Sequence, residues 1–485
     1  MNLTISSILR ITGMVLVVIS IAMLPPILVS LYYGEYHVAM GFVHSIWIGL
    51  IVGLFLFAVF RSFRRKLRVR DGYMIIALCW IAASVFGAFP YYYADVLGPI
   101  NAFFESASGF STTGATVFDD VESVPKGILI WRSLTQWLGG LGILVFAVAL
   151  MPALGINGTS VAEPDRPSVS IDALSPKAKR IAFVIFLMFG LLTLTEAILL
   201  CIGGMGKFDS VIHAMSTMST GGFSSYNDSI MHFDSIYIRI VIFIFMIIAG
   251  TNFTMFYSYT RRGIKAFTED TEFKMYLIIM AVAFVAVFAG IFFIETGWSH
   301  PGEAANSAFQ VVSILTTTGF VSDNFTLWPA FCQMILILLM FIGGCSSSAS
   351  SGNKVVRITV IIKLVHHGIQ TRLHSNVVRP VRINLKDVPK DTVSAVVNSV
   401  YLYMITVFIG AFAMAFENIN LLDCFTSTIS LLGNVGPCFG SIGTSGIFAD
   451  FSAFTKVFMS FVMIAGRLEI YTLLVLLTPG FWRAD

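Results

Sequence analysis

Residues 101–116 read NAFFESASGFSTTGAT, and three later stretches repeat the pattern: DSVIHAMSTMSTGG at 209–222, NSAFQVVSILTTTG at 306–319 and DCFTSTISLLGNVG at 423–436. The copies align on Gly114, Gly222, Gly319 and Gly436. Thirteen residues before each glycine stands Asn101, Asp209, Asn306 or Asp423, and six before stands Ser108, Ser216, Ser313 or Ser430. Two before stands Thr112, Thr220, Thr317 or Asn434. Asn and Asp are preferred helix N-caps, so each copy is expected to start a helix there. The ten or so apolar and small residues that follow give about three turns, roughly half a bilayer. The Thr/Asn–X–Gly end resists helical continuation, and glycine opens backbone conformations closed to other residues.

Each copy thus reads as a short helix that enters a membrane and ends in an extended, Gly-centred loop. At bilayer depth the polar backbone of such a loop must be satisfied by protein, water or an ion. Four of them around one axis would aim carbonyl oxygens and helix C-terminal dipoles at a shared point, which favours a dehydrated cation. The candidate cation site is therefore Thr112, Thr113 and Gly114; Thr220, Gly221 and Gly222; Thr317, Thr318 and Gly319; and Asn434, Val435 and Gly436. Small residues also recur in ordinary helix packing. That explanation serves one copy, but not four that agree at three offsets about a hundred residues apart.

The rest of the chain is membrane material. Of 485 residues 56% are hydrophobic and 12% charged, with a mean hydropathy of +0.85. Soluble domains carry about twice that charged share. The six cysteines are scattered, with no C-x-x-C pair, and specify neither a disulfide framework nor a metal site. Basic clusters lie at Arg61–Arg70, Lys177–Arg180, Arg261–Lys265 and Lys354–Lys390. The alternate loops hold Asp95, Asp119, Asp120, Glu122, Asp228, Asp234, Glu295, Glu303, Asp323 and Asp450. Positive-inside bias places both termini and the basic loops in the cytoplasm, so the Gly loops open from outside. Topology anchoring accounts for the basic clusters without nucleic acid.

Two leading spans, 8–31 and 39–60, have no Gly loop between them. Four units of span, half-helix, acidic loop and span follow, parallel rather than inverted. They use spans 72–97 and 128–151, 181–203 and 236–258, 274–295 and 330–362, and 393–417 and 452–478. The expected division is 1–70 for the two N-terminal helices, then 71–176, 177–268, 269–390 and 391–485 for the four pore repeats. The fold expected is an all-α integral membrane protein with four tandem span–pore-helix–span repeats around one pore.

Each second span carries a small-residue landmark: Gly139-Gly140, Ala249-Gly250, Gly343-Gly344 or Ala465-Gly466. Close helix packing explains the first two. The third opens the run Gly343, Gly344, Cys345, Ser346, Ser347, Ser348, Ala349, Ser350, Ser351, Gly352, Asn353, Lys354. Seven small or polar residues in a row weaken a helix. Inside a bilayer a broken helix persists only where it is packed in protein or lines a water path. This run is a candidate gate below the Gly loops. Arg467 in the fourth repeat costs at least ~2.5–3.5 kcal/mol at membrane depth and needs a partner. It follows Gly466 as Cys345 follows Gly344, so the two positions are expected to meet, with guanidinium donors tying the loop across the pore. Glu196, nearer a span end, is expected to snorkel to water.

Four units with one filter glycine each, two leading spans and an interrupted second span in unit three resemble the TrkH-type membrane subunit of the Trk/Ktr/HKT superfamily. The residues that carry the likeness are TTG at 112–114, TGG at 220–222, TTG at 317–319, NVG at 434–436 and GGCSSSASSGNK at 343–354. The resemblance implies potassium uptake across the bacterial inner membrane and a homodimer with one pore per protomer. It also implies a cytosolic, nucleotide-binding RCK-domain partner of TrkA type that gates the pore. K+ is then the transported ion, and no organic cofactor is expected on this chain. Sodium-preferring plant members replace the first filter Gly by Ser, whereas this chain keeps Gly114. Asn434 and the lack of a second filter Gly depart from T-V-G-Y-G and imply looser discrimination than in a strict potassium channel.

A proton- or sodium-coupled symporter on the same filter is the alternative. Carriers need titratable groups near the site, and between the Asn/Asp and the Gly of each copy stand only Glu105 and His213. A membrane enzyme finds no support: there is no H-E-x-x-H and no Walker loop. Gly203-Gly204-Met205-Gly206 follows a hydrophobic span rather than a strand.

Overall fold

The computed structural model describes residues 2–60, 69–145, 176–294, 303–373, 381–384, 386–440, 442–444 and 446–482. The basic run at 61–68, the end of the span expected at 128–151 and Glu295 lie outside the described residues. The described chain is almost entirely helical, apart from a two-stranded antiparallel hairpin pairing Arg382–Ile383 with Lys386–Asp387. Six helices are long and apolar enough to cross a bilayer, and two bent helix pairs would bring the spans to eight. Their outward faces carry Leu, Ile, Phe and Trp, such as Trp47, Phe293 and Phe412. That is the composition a lipid-facing surface requires.

The leading spans pack closely. Helix Asn2–Ala22 meets helix Tyr36–Val59 at Gly13 and Gly53, where a Cβ on either would lie under 3 Å from the other's carbonyl oxygen. The short helices of the four repeats are Pro99–Phe110, Lys207–Met218, Glu303–Leu315 and Leu421–Gly433. Their second halves are almost wholly buried.

Three expectations need correcting. First, the short helices do not start at the repeated Asn or Asp. The N-caps are Gly98, Gly206 and Asn420, none with a side-chain cap bond. Pro99 sits at the first helical position, where its fixed φ is pre-organised for the turn. Asn101 and Asp209 therefore stand inside the first turn, where their side chains reach other partners. Asp209 accepts from Ser225 Oγ at 2.6 Å, and Asn101 from Lys456 Nζ at 2.9 Å.

Second, the spans expected at 236–258 and 452–478 are not continuous. Ile236–Ala249 and Phe253–Tyr259 meet at 87°, and Ala453–Leu468 and Ile470–Leu477 at 115°. The first break is capped by Asn252, whose side chain accepts from the Thr254 amide. The second turns on Glu469, at φ 65°.

Third, Glu196 does not reach water. It is fully buried within the protomer.

Candidate functional site

Each short helix ends in the same way. Thr112, Thr220, Thr317 and Asn434 take left-handed conformations with φ between 53° and 57°. The amide of each bonds back to Gly109, Thr217, Ile314 or Leu431, and the next amide bonds to the carbonyl of Ser108, Ser216, Ser313 or Ser430 at 2.8–2.9 Å. Those two bonds make a Schellman motif, so the repeated Ser is the residue whose carbonyl closes the cap. In two copies its hydroxyl also holds the carbonyl just past the ring glycine: Ser108 Oγ donates to Ala115 O and Ser313 Oγ to Phe320 O. A β-branched residue in the left-handed region costs of order 1–3 kcal/mol, and three of the four copies bear that cost. Thr317 shows one use for it. Its hydroxyl accepts the Ser351 amide of the small-residue run at 2.9 Å.

The four ends close into a ring. A Cβ on Gly114 would overlap the Gly221 carbonyl oxygen, and one on Gly222 the Thr318 oxygen. One on Gly319 would overlap the Val435 oxygen, and one on Gly436 would lie 2.6 Å from the Thr113 oxygen. Each glycine thus faces the middle carbonyl of the next copy, and the last faces the first. All four have φ between 74° and 97°. Asn434, the departure from Thr, is the clasp of this ring: its Nδ2 donates to Thr113 Oγ1 at 2.8 Å and to Met463 O at 2.9 Å. Asn also tolerates the left-handed backbone better than Thr does. Outside the ring lies a cavity of about 180 Å³, lined by Gly114, Gly221, Gly222, Gly319 and Val435 with Asn227 and Asp228. Asn227 donates to Asp120 nearby, and that bond holds the Asp120 carboxyl below its usual range.

The run from Gly343 to Lys354 is non-helical, between helices Ala330–Ile342 and Val355–Leu373. It lies against the ring through the Thr317–Ser351 bond. Arg467 reaches it, as the shared landmark implied: Nη1 donates to Ala349 O at 2.7 Å and to Ser351 Oγ at 2.9 Å, and Nη2 to Gly139 O at 3.3 Å. The second repeat holds it too, since Cys345 N donates to Gly250 O and Ala349 N to Ala249 O. In the first, second and fourth repeats the landmark glycine marks where the second span touches a short-helix end, whereas Gly343 and Gly344 lie against Ser351 and Ser350 of their own run. Gly139 lies against Phe110 O, Gly250 against Thr316 and Gly466 against Leu432 O.

The chain matches the TrkH family, described as cation transport protein, over residues 38–481. It is 33% identical over 482 residues to the Trk system potassium uptake protein TrkH of Escherichia coli K12, covering 98% of this chain and 99% of that one. It is 32% identical over 472 residues to TrkG of the same strain, covering 96% of each. The crystal structure of the potassium transporter TrkH from Vibrio parahaemolyticus superposes with a TM-score of 0.90 at 32% identity, covering 99% of this chain and 100% of that one. The chain belongs to the TrkH family.

Around the ring of this TrkH-family chain the structure also shows contacts that the sequence did not indicate. Arg132 and Glu105 form a buried ion pair, Nε to Oε1 at 2.7 Å, beside the ring segment of the first repeat. Glu105 also accepts from the Thr116 hydroxyl and the Val117 amide, while Arg132 lies over the Phe223 ring, 4.1 Å from its centroid. Glu272 accepts from the Ser346 amide and hydroxyl at 2.5 and 2.6 Å, a second anchor for the run. Its neighbours Asp270 and Thr271 are bonded to Asn384 in the 382–387 hairpin. Glu469 pairs with Arg357 at 2.6 Å rather than with Arg467. His213 is held by Asp209 O and Ser224 Oγ.

Proposed function

We propose that this chain carries potassium into a bacterial cell across the inner membrane, through a channel-like pore whose filter is the ring of residues 112–114, 220–222, 317–319 and 434–436. The closed cycle of glycines, each against the next copy's middle carbonyl, carries the reading. It brings four equivalent carbonyls and four helix C-termini together, an arrangement suited to a dehydrated cation. That the relatives are named potassium uptake proteins points to the ion, and Gly114 in place of Ser agrees. Potassium is cargo here, and the reading needs no organic cofactor.

The gate in this reading is the run 343–352, held shut by Arg467. Both termini and the helix Val355–Leu373 face the cytoplasm. A cytosolic, nucleotide-binding RCK-domain subunit opens the gate by moving 354–390, and the protein works as a homodimer. Rubidium uptake into liposomes carrying only this chain tests the core of the proposal. Flux competed more strongly by potassium than by sodium is expected, and its absence from well-folded protein overturns the filter. Addition of the RCK subunit with nucleotide is expected to raise that flux.

One observation keeps a coupled symporter as the second reading. Glu105 is committed to Arg132 and His213 to its two partners, but the carboxylate of Glu196 is fully buried with no ion-pair partner among the described residues and only the Thr217 hydroxyl beside it. A buried carboxyl without a charged partner is the kind of group that proton coupling uses. Under the symporter reading a pH gradient alone drives uptake, and Glu196→Gln removes that drive. Under the channel reading single-channel currents persist in the variant.

A further inference from the structure

Gln136 stands one turn beyond Arg132 on helix Lys126–Val145 and is wholly buried. Its Nε2 donates to the Gly221 carbonyl at 2.6 Å, and its Oε1 accepts from the Phe223 amide at 3.2 Å. The carboxamide therefore straddles Gly222, bonding the backbone on both sides of it. It also explains why the second ring segment reads Thr-Gly-Gly. A Cβ on Gly221 would fall on the carboxamide, 2.5 Å from Oε1 and 2.7 Å from Nε2. In the other segments the middle residue is Thr113, Thr318 or Val435, and among the described residues no hydrogen-bond donor reaches those three carbonyls. The ring is cyclic in its backbone but not in its electrostatics.

We propose that Gln136 is a specificity-determining residue, whose amide takes up part of the charge of one of the four equivalent carbonyls and so lowers the field the ring presents to a cation. This rests on the ring being the filter. A carbonyl oxygen has two lone pairs, so Gly221 can accept from Gln136 and still face an ion. Its dipole toward the ion is opposed by the amide hydrogens. Selection between potassium and sodium depends on the number and field strength of the carbonyl ligands, on one account of such filters. A stronger field favours sodium, because the smaller ion approaches closer and gains more Coulomb energy. Gln136 therefore biases the ring toward the larger ion.

The test is competition of sodium, potassium and caesium against rubidium uptake in liposomes. Ratios of inhibition are independent of how much folded protein each preparation contains. Gln136→Leu is expected to shift the sodium-to-potassium ratio roughly threefold toward sodium, the scale of one hydrogen bond. Gly221→Thr alone places a side chain on the carboxamide and is expected to lose flux. Combined with Gln136→Ala it rebuilds the Thr-Thr-Gly of the first and third segments, and should regain flux while keeping the shifted ratio. Where Gln136→Leu is not recovered folded, the double variant carries the same comparison. Unchanged ratios in a folded variant overturn the role of Gln136 while the filter stands. A parent protein that does not discriminate between the competing ions overturns the filter itself.

Discussion

The ring and the segments beneath it are built from the same four repeats, yet only the ring keeps them alike. Above, four Schellman caps with φ values within a few degrees of one another place four glycines against four carbonyls. Below, the second spans share a small-residue landmark and then diverge. The first runs unbroken through Gly139-Gly140, and the second breaks at an Asn252 cap. The third opens into the non-helical run, and the fourth turns sharply at Glu469. In the proposed reading the ring is a coordination shell, whose backbone geometry must match from copy to copy, so each copy constrains the others. A gate needs one element to move against the rest, and four equal segments would offer none. Repetition therefore ends within a turn or two of the ring.

The sharpest way to break this contrast is to damage one ring copy. Gly319→Ala meets both a left-handed φ of 79° and the Val435 carbonyl, with no flexible atom to yield. It is expected to abolish selective rubidium uptake, and Gly114→Ser, which meets the Gly221 carbonyl at a left-handed φ of 84° in the same way, should raise the share of sodium in whatever flux remains. Parental ion ratios in liposome flux after either substitution would show that the four positions are not one shell.

Next in size is the support behind the ring. Glu105→Ala leaves Arg132 buried without its carboxylate, which costs about 3–5 kcal/mol. Thermal unfolding in detergent should show a large loss, partly recovered by Glu105→Gln. A variant as stable as the parent would mean that Arg132 finds other acceptors.

Below the ring, effects should be smaller and of opposite sign. Arg467→Ala, or shortening 346–350, is expected to raise partner-independent rubidium flux several-fold, with recovery of folded protein checked alongside. Folded variants of both kinds that conduct no faster than the parent place the gate elsewhere. Glu272→Gln keeps the shape but weakens the charge-assisted bonds to Ser346, for about a twofold rise in the same assay. Loss of flux instead would mark Glu272 as holding the run open rather than shut.

The ring was legible because it is written four times. Offsets of six and two residues from a glycine survive in any alignment of the copies, and the geometry that imposes them is local to each helix end. The Arg467 contact was legible for a related reason, since two positions that follow the same landmark in adjacent repeats fall at the same depth. Asn252 was a missed signal: an Asn two residues past Gly250 offers a new helix its cap. Gln136, Arg132 and Glu272 could not be read. Each bonds across repeats or to a loop, occurs once, and has no counterpart at its offset in the other copies. Glu196 was misjudged because position along a span says nothing about which side of the helix faces protein. The repeated Asn and Asp were rightly singled out but given the wrong task, because a proline and two glycines start the helices earlier.

The clasp between the last ring segment and the first has a consequence for how the protein is made. Thr113 and Asn434 lie 321 residues apart in the chain. Thr116 is paired on both sides by the fourth repeat, its amide to Gly446 O and its carbonyl from Phe448 N. At about 5–20 residues per second the ribosome needs roughly 15–60 seconds between these segments. During that interval the first re-entrant loop holds polar backbone groups that the bilayer core cannot satisfy. A first short helix at its final position before that point has an end whose partners do not yet exist. A ribosome stalled before the fourth repeat leaves the ring open at this seam, with the Thr116 backbone unpaired.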